Sequence, residues 1–406
     1  MNRISRRALV GGLAAAPLAR PAIIQAQTVS TPVTIGYLSD VGGPYRENGG
    51  VGNRIGAELA VADFGGSVLG RPLEVIQADD QNKPDVGSTL ARQWIDDRGV
   101  TVLADGASSA AALAIQAVSR EKKRIYLMTG PIANALIGEQ CSPYGFQFSW
   151  NSHAFTKGVT DALTKNGGDT WFTLVSDNES GFSLERDMHG FTKAAGGTVV
   201  GAVQTPIGLP DYSSFLLQAK ASGAKVIGLG LAGIDLQNCI KQAAEFGITA
   251  GGQRLATPIM SDPDIYAVGQ DVCKGLVLSA FFFWTLNPAT RAYGERFIAL
   301  RGKPPTQQHA DSYISVTHWL KAVAAAKTLD ADVVAAKMRE TPLNDMFNEN
   351  IKIMPNGCVP YKALLCEVKA RSESQGKFDI FKLIGTLPSA DANPSPGMFG
   401  CKLPGI

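Results

Sequence analysis

Between residues 104 and 115 the chain reads ADGASSAAALAI, and Gly106, Ala107, Ser108 and Ser109 leave almost no side chain where an apolar run ends. Small residues at a strand tip make room for a ligand, because ligands of open parallel sheets bind beyond the carboxyl ends of the strands. Ser108 or Ser109 is placed to cap the helix that follows, and a helix start presents free amides and a partial positive charge. Such a site takes a carboxylate through backbone and hydroxyl donors, without an arginine. Each charge-assisted hydrogen bond contributes about 1.5–3 kcal/mol. A few of them, with apolar burial, reach the ~8 kcal/mol of a micromolar complex. Similar tips recur at Thr129, Gly130, Pro131 and Ile132, and again from Gly230 through Ala232 to Gly233.

Other chemistries find less support. Gly228-x-Gly230-x-x-Gly233 has the spacing of a dinucleotide fingerprint and lies between a strand and a helix. It falls in the second half of the chain, however, and the next acid at a strand end, Asp262, comes late for a ribose contact. It reads instead as a close-packed turn in a ligand cleft, and no cofactor is expected. There is no Gly-x-Ser-x-Gly elbow, the four histidines do not cluster, and no Cys-x-x-Cys occurs. Catalysis and metal binding are therefore not expected. Aromatic residues collect at strand ends and crossings: Tyr45, Trp150, Phe182, Phe283 and Trp284. Their placement favours a flat, partly apolar ligand.

The elements that must position these residues alternate from residue 33 onward. VTIGYLSD, LEVIQADD, VTVLADG and RIYLMTG read as strands, with helices between them, one opened by Pro84. The pattern restarts with TWFTLVSD, TVVGAVQT, KVIGLGLAG and RLATPIM, separated by helices over 182–195, 211–221 and 235–246. Near-continuous apolar strands between helices indicate parallel sheet covered on both faces. Two α/β lobes of similar plan follow. A long helix pattern, DSYISVTHWLKAVAAAKTL, precedes a β-rich tail whose hairpin turn is expected at Pro355-Asn356-Gly357.

The chain has 406 residues, enough for two cores, and only 18% are charged with a formal net charge of +2. Such balance argues against a nucleic-acid surface. The first 26 residues read as an export signal: paired Arg6 and Arg7, an apolar stretch from Ala8 to Leu18, and Ala26 as the last residue removed. Ser5-Arg6-Arg7-Ala8-Leu9 has the look of a twin-arginine signal, which would place the folded protein in the periplasm. An oxidising compartment permits disulfides. Six cysteines allow many pairings; Cys141 and Cys401, both in loop contexts, could tie the tail down, and Cys239 on an apolar helix face reads as a buried thiol.

VTIGYLSDVGGPY, GASSAAALAI, IYLMTGPIANAL, YSSFLLQAKASGAKVIGLGLAG, CIKQAAEFGI and NPATRAYGERF together resemble the periplasmic substrate-binding proteins of ABC importers, of the branched-chain amino acid type. The likeness runs from about Pro32 to Leu387. It implies two Rossmann-like lobes with mostly parallel sheets, joined by a three-stranded hinge and closing on a solute. Lobe 1 would span 31–150 and 285–342, lobe 2 would span 151–284 and 343–390, and 391–406 would be a tail. By position, the first lobe would contact ligand through Asn48, Ala107, Ser108, Ser109, Thr129, Gly130, Pro131 and Ile132. The second lobe would use Ser180, Ala232 and Ile259, with Trp150 at a crossing. Two departures count against an α-amino acid. The region expected to carry an acid for the ammonium group reads TPIM, with no acid before Asp262, and Ser180 stands where a tyrosine is expected. A carboxylic acid lacking the amine, aromatic among the options, fits better. The expected partners are that small solute and ABC permease subunits, with the receptor a monomer. Branched-chain amino acids or amides, a ligand-sensing receptor of the same fold, and a nucleotide-dependent enzyme are the alternatives.

Overall fold

The computed structural model describes residues 31–405, so the export-signal reading of residues 1–26 lies outside the described part. Two sheets carry the fold. The first half supplies β1 (Val33–Ser39), α1 (Gly50–Asp63), β2 (Ser67–Val68), β3 (Arg71–Asp79), α2 (Pro84–Arg98), β4 (Val102–Asp105), α3 (Ser109–Glu121), β5 (Ile125–Met128) and β6 (Gly145–Gln147). These strands form one six-stranded sheet in the order β2-β3-β1-β4-β5-β6, parallel except at the β2–β3 edge. All seven residues of β1 are buried, which is why VTIGYLS is continuously apolar rather than alternating.

The chain then builds α4 (Ser152–Lys165), β7 (Thr170–Ser176), α5 (Glu179–Ala194), β8 (Thr198–Thr205), α6 (Ser213–Ala221), β9 (Val226–Gly230), α7 (Gly233–Glu245), β10 (Arg254–Ala256), α8 (Asp262–Val268), α9 (Gln270–Cys273) and β11 (Val277–Ala280). It returns to cover the first sheet with α10 (Pro288–Arg301), α11 (Gln307–Ala326) and α12 (Ala331–Glu340). It ends on the second sheet with β12 (Ala363–Val368), β13 (Phe381–Leu387) and α13 (Ser389–Ala392). The seven-stranded order is β13-β12-β11-β10-β9-β7-β8, parallel from β8 to β11 and antiparallel at the β12 and β13 edge. Three segments pass between the sheets, at 148–151, 281–287 and 341–362.

Helix starts differ from the sequence reading wherever a cap lies upstream of the apolar pattern. Asn178 caps α5 by accepting from Gly181 N–H, so the helix begins three residues before the expected Phe182. Thr306 caps α11 in a capping box with His309, which starts that helix at Gln307 instead of Asp311. The expected hairpin turn also needs correction. Residues Met354 to Gly357 do turn, with Gly357 N–H donating to Met354 O, but they do not join two paired strands. Gly357 O accepts from Gln147 N–H, and Asn356 Nδ2 donates to Ile137 O and Pro396 O, so this turn is held by tertiary partners. The antiparallel pair β12–β13 is joined by 369–380.

Cys141 and Cys401 form a disulfide, and Cys239, Cys273, Cys358 and Cys366 are free and buried. The bond fastens the terminal segment to the loop between β5 and β6, and Phe399 beside it packs against His153 of α4 at 5.9 Å between ring centroids. No described helix is long and apolar enough to cross a membrane.

Candidate functional site

The carboxyl ends of both sheets face one cavity of about 820 Å³, part of it open to solvent. Residues at or just before the starts of seven helices line it: Asn48 for α1, Ala107 for α3, Trp150 for α4, Asn178 and Ser180 for α5, Ala232 for α7, Ser261 for α8, and Thr306 to Gln308 for α11. The first amides of each helix have no acceptor within it, and the aligned peptide dipoles sum toward that end. Together they make the cavity favourable to negative charge. No lysine, arginine or histidine stands in the wall among the described residues.

The first-lobe wall rests on a buried polar network. Asp105 ends β4 with φ of 78°, a left-handed conformation that turns the chain into Gly106 and toward α3. Its Oδ2 accepts from Ser39 Oγ at 2.5 Å, its Oδ1 accepts from Thr129 Oγ1 at 3.3 Å, and its carbonyl accepts from the Tyr126 hydroxyl at 2.9 Å. Asn53 Nδ2 donates to Thr129 Oγ1 in turn. Burial pushes the Asp105 carboxyl up to about 6, against the opposing hydrogen bonds from Ser39, Asn53 and Thr129. Burial likewise raises neighbouring Asp80 to about 7, with the charges of Asp105, Asp40 and Asp79 adding to it. α11 is clamped to the α1 loop. His309 Nδ1 accepts from Thr306 N–H at 3.0 Å, so Nε2 carries the proton and donates to Gly49 O at 3.0 Å. Burial holds this imidazole well below its ordinary value, consistent with a neutral ring.

Each of the three crossings places an aromatic ring at the hinge end of the cavity. Trp150 meets Phe155 and Phe281 edge-on, at 5.1 and 5.0 Å between centroids, and Phe281 stacks on Tyr361 at 4.5 Å. Tyr361 donates its hydroxyl to Asp311 Oδ1 at 3.3 Å, which brings the only carboxylate of the described wall beside this aromatic box. Asp311 Oδ2 has no hydrogen-bond partner, nor do Trp150 Nε1, Gln308 Oε1 or Asn48 Oδ1. Burial drives the Asp311 carboxyl well above its usual range.

The two walls touch across the cleft. Asn48 Nδ2 donates to Ser261 Oγ at 2.7 Å, and Ser261 Oγ passes its own proton to Asp264 Oδ2. Ser180 Oγ donates to Ser109 Oγ at 2.8 Å. Tyr45, whose phenol is pushed up to about 12 by burial and the charge of Asp235, interacts with the Asn178 side chain. Gly233, at φ of 56°, lies so close to Pro44 O that a side chain there would overlap the carbonyl.

The sequence candidates divide accordingly. Tyr45, Asn48, Ala107, Thr129, Gly130, Ile132, Trp150, Ser180, Ala232 and Ile259 stand in the cavity wall. Ser108, Ser109, Pro131, Phe182, Gly233 and Trp284 do not. Ser108 caps α3 by accepting from Ala111 N–H. Ser109 Oγ accepts from the Ile132 and Ala133 amides, tying α3 to the tip of β5. Pro131 O accepts from Gln147 and Ser149. Because α5 starts at Glu179, Ser180, Gly181 and Leu184 share the cavity-facing side and Phe182 is turned outward, 36% exposed. Gly233 serves the contact between lobes. Trp284 donates Nε1–H to Phe378 O on the far side of the second crossing, and Phe281 takes the place in the wall expected of Phe283 or Trp284.

Sequence reasoning missed Phe281, Asp311 and the Thr306 to Gln308 turn, and also the wall residues Ser149, Phe155, Ser176, Asn178, Gly181, Leu184 and Ser261. The run Phe281-Phe282-Phe283-Trp284 marks an aromatic crossing without saying which ring points inward. Thr306 with His309 was a legible cap signal, and it would have put Asp311 one turn into a helix aimed at the cleft.

With this geometry, the comparisons agree on a class. The chain belongs to the periplasmic binding protein family, which matches residues 32–375. It is a substrate-binding protein of a transporter rather than an enzyme, and its place is the periplasm. A periplasmic binding protein of Burkholderia mallei is 39% identical, with 92% of this chain and 99% of that one covered at a TM-score of 0.89. A branched-chain amino acid ABC transporter ligand-binding protein of Burkholderia xenovorans is 33% identical, covering 89% and 96% at 0.80. Among curated relatives, Leu/Ile/Val-binding protein homolog 6 of Brucella melitensis is 22% identical over 67% of this chain and 70% of its own length.

Proposed function

We propose that this protein captures a small carboxylic acid, with an aromatic acid fitting best, and delivers it to the permease of an ABC importer. The observation that carries the reading is the convergence of seven helix starts on a cavity whose wall holds no basic side chain. Backbone amides at Ala107 to Ala110 would receive the carboxylate. The rings of Trp150, Phe155 and Phe281 would enclose the remainder. The ligand-contacting set is thus the ten wall residues already anticipated, joined by Phe281 and the first turn of α11.

The lobes are proposed to divide at the three crossings and to close by hinge motion, with the closed form docking on the permease as a monomer. Export by the twin-arginine route belongs to the same proposal. Solute-binding proteins of Rhodopseudomonas palustris bound to 4-hydroxybenzoate and to benzoate share this fold at TM-scores of 0.80, but at 22% and 19% identity. The ligand assignment therefore rests on the cavity and not on them. Titration calorimetry of the mature protein against benzoate- and cinnamate-like acids, their amides, and leucine tests it. Micromolar binding of an acid, lost in its amide, is expected. Tight leucine binding with no response to any aromatic acid would refute the aromatic assignment.

A further inference from the structure

Polar atoms that are buried in a protein almost always find a partner. In the wall of this cavity three side-chain acceptors do not: Asp311 Oδ2, Gln308 Oε1 and Asn48 Oδ1. All three come from the first lobe. The assignment of Asn48 is fixed by its neighbours. Ser261 gives its proton to Asp264, so Ser261 Oγ receives the Asn48 amide hydrogens and Oδ1 is left as an acceptor.

Asp311 is the most constrained of the three. It is 1% exposed, on the first turns of α11, and Tyr361 already occupies its other oxygen from behind the wall. Among the described residues no cation pairs with it. A plain acid such as benzoate, held by its carboxylate at the start of α3, would present only C–H groups to this oxygen, because a benzene ring offers no polar partner. Packing alone would favour an apolar residue in place of an unpaired buried carboxyl.

We infer that the solute carries a hydrogen-bond donor at the end opposite its carboxylate, a hydroxyl or an ammonium group, and that Asp311 receives it. This deepens the carboxylate reading and rests on it. Phe281, edge-on to Trp150 and stacked on Tyr361, brings Asp311 beside the aromatic side of the cavity, so a polar substituent on a bound ring would reach it. A hydroxyl would donate directly to Oδ2. An ammonium would in addition keep the carboxylate ionised against the cost of burial and would be enclosed by aromatic faces. Either way, Asp311 selects between acids that the helix starts alone cannot tell apart.

Calorimetry of the mature wild-type protein with benzoate, 4-hydroxybenzoate and 4-(aminomethyl)benzoate, repeated with Asp311→Asn, tests this. The expected result is that one donor-bearing acid binds wild type at least about tenfold more tightly than benzoate, the scale of one charge-assisted hydrogen bond. Asp311→Asn should erase most of that preference, read within each protein as the ratio of donor-bearing acid to benzoate affinity. A hydroxyl preference identifies a hydroxy acid, and an ammonium preference an amino acid. Equal binding of all three acids by wild type overturns the inference and leaves the carboxylate reading standing. Binding of the amides in place of the acids overturns the carboxylate reading, and this one with it. The wild-type comparison needs no variant to fold.

Discussion

The two walls of the cleft are built differently. On the first lobe, side chains reach the cavity from a cross-linked base: Ser39, Asp105, Thr129, Asn53 and the His309 clamp hold the strand tips and α11 in place. Buried polar atoms of its wall residues Asn48, Gln308 and Asp311 have no hydrogen-bond partner. On the second lobe the wall includes Gly181, Leu184, Gly230, Ala232 and Ile259, with Phe155 and Ser176, and several of its polar side chains are already engaged: Asn178 by its own helix, Ser180 by Ser109, Ser261 by Asp264. Rigid side chains can discriminate, whereas a smooth backbone surface can close over many shapes. The contrast assigns selection to the first lobe and closure to the second.

The sharpest way to break this division is Gly233→Val. A side chain at a left-handed position facing Pro44 O prevents the lobes from meeting. Ligand affinity should then fall by more than about a hundredfold, because the binding-competent closed form is depopulated. Calorimetry would measure the loss, and small-angle scattering with saturating ligand should show the lobes held apart. Binding at wild-type strength would mean that the second lobe contributes nothing by closing.

A paired substitution tests the asymmetry itself. Gln308→Ala removes an open acceptor from the first lobe, and Ser180→Ala removes a hydroxyl that Ser109 already engages. The first should weaken binding about tenfold and the second less than about threefold, read by calorimetry under identical conditions. The reverse order would move selection to the second lobe.

The smallest effect concerns the base of the first wall. Asp80 is raised to about 7 in the folded protein, from an ordinary value near 4 when unfolded. The folded state therefore holds its proton between those values, and stability is lost as pH rises through about 7. Asp80→Asn removes this repulsion with Asp105 and Asp40 while keeping an acceptor for Asn82 N–H. The variant should melt a few degrees above wild type at pH 8, with the gap shrinking toward pH 5. A gap that is constant with pH would show that Asp80 is not strained by its charge.

Local sequence suffices for the alternation of strands and helices, because burial on both faces of a parallel sheet forces largely apolar runs. It also marked the small-residue tips at Ala107 and Thr129 to Ile132, because bulk there would fill the cleft. Which neighbour at each tip faces the cavity depended on where helices begin. The Asn178 cap set α5 one register earlier, so Ser180 was placed in the wall and Phe182 outside it. Asp311 lies 206 residues beyond Asp105, on a helix that returns to the first lobe only after the chain has built most of the second. Nothing local distinguishes such an acid from a surface carboxylate. Only the path of the chain through the hinge could bury it beside Tyr361 in the cavity wall with one oxygen unpartnered.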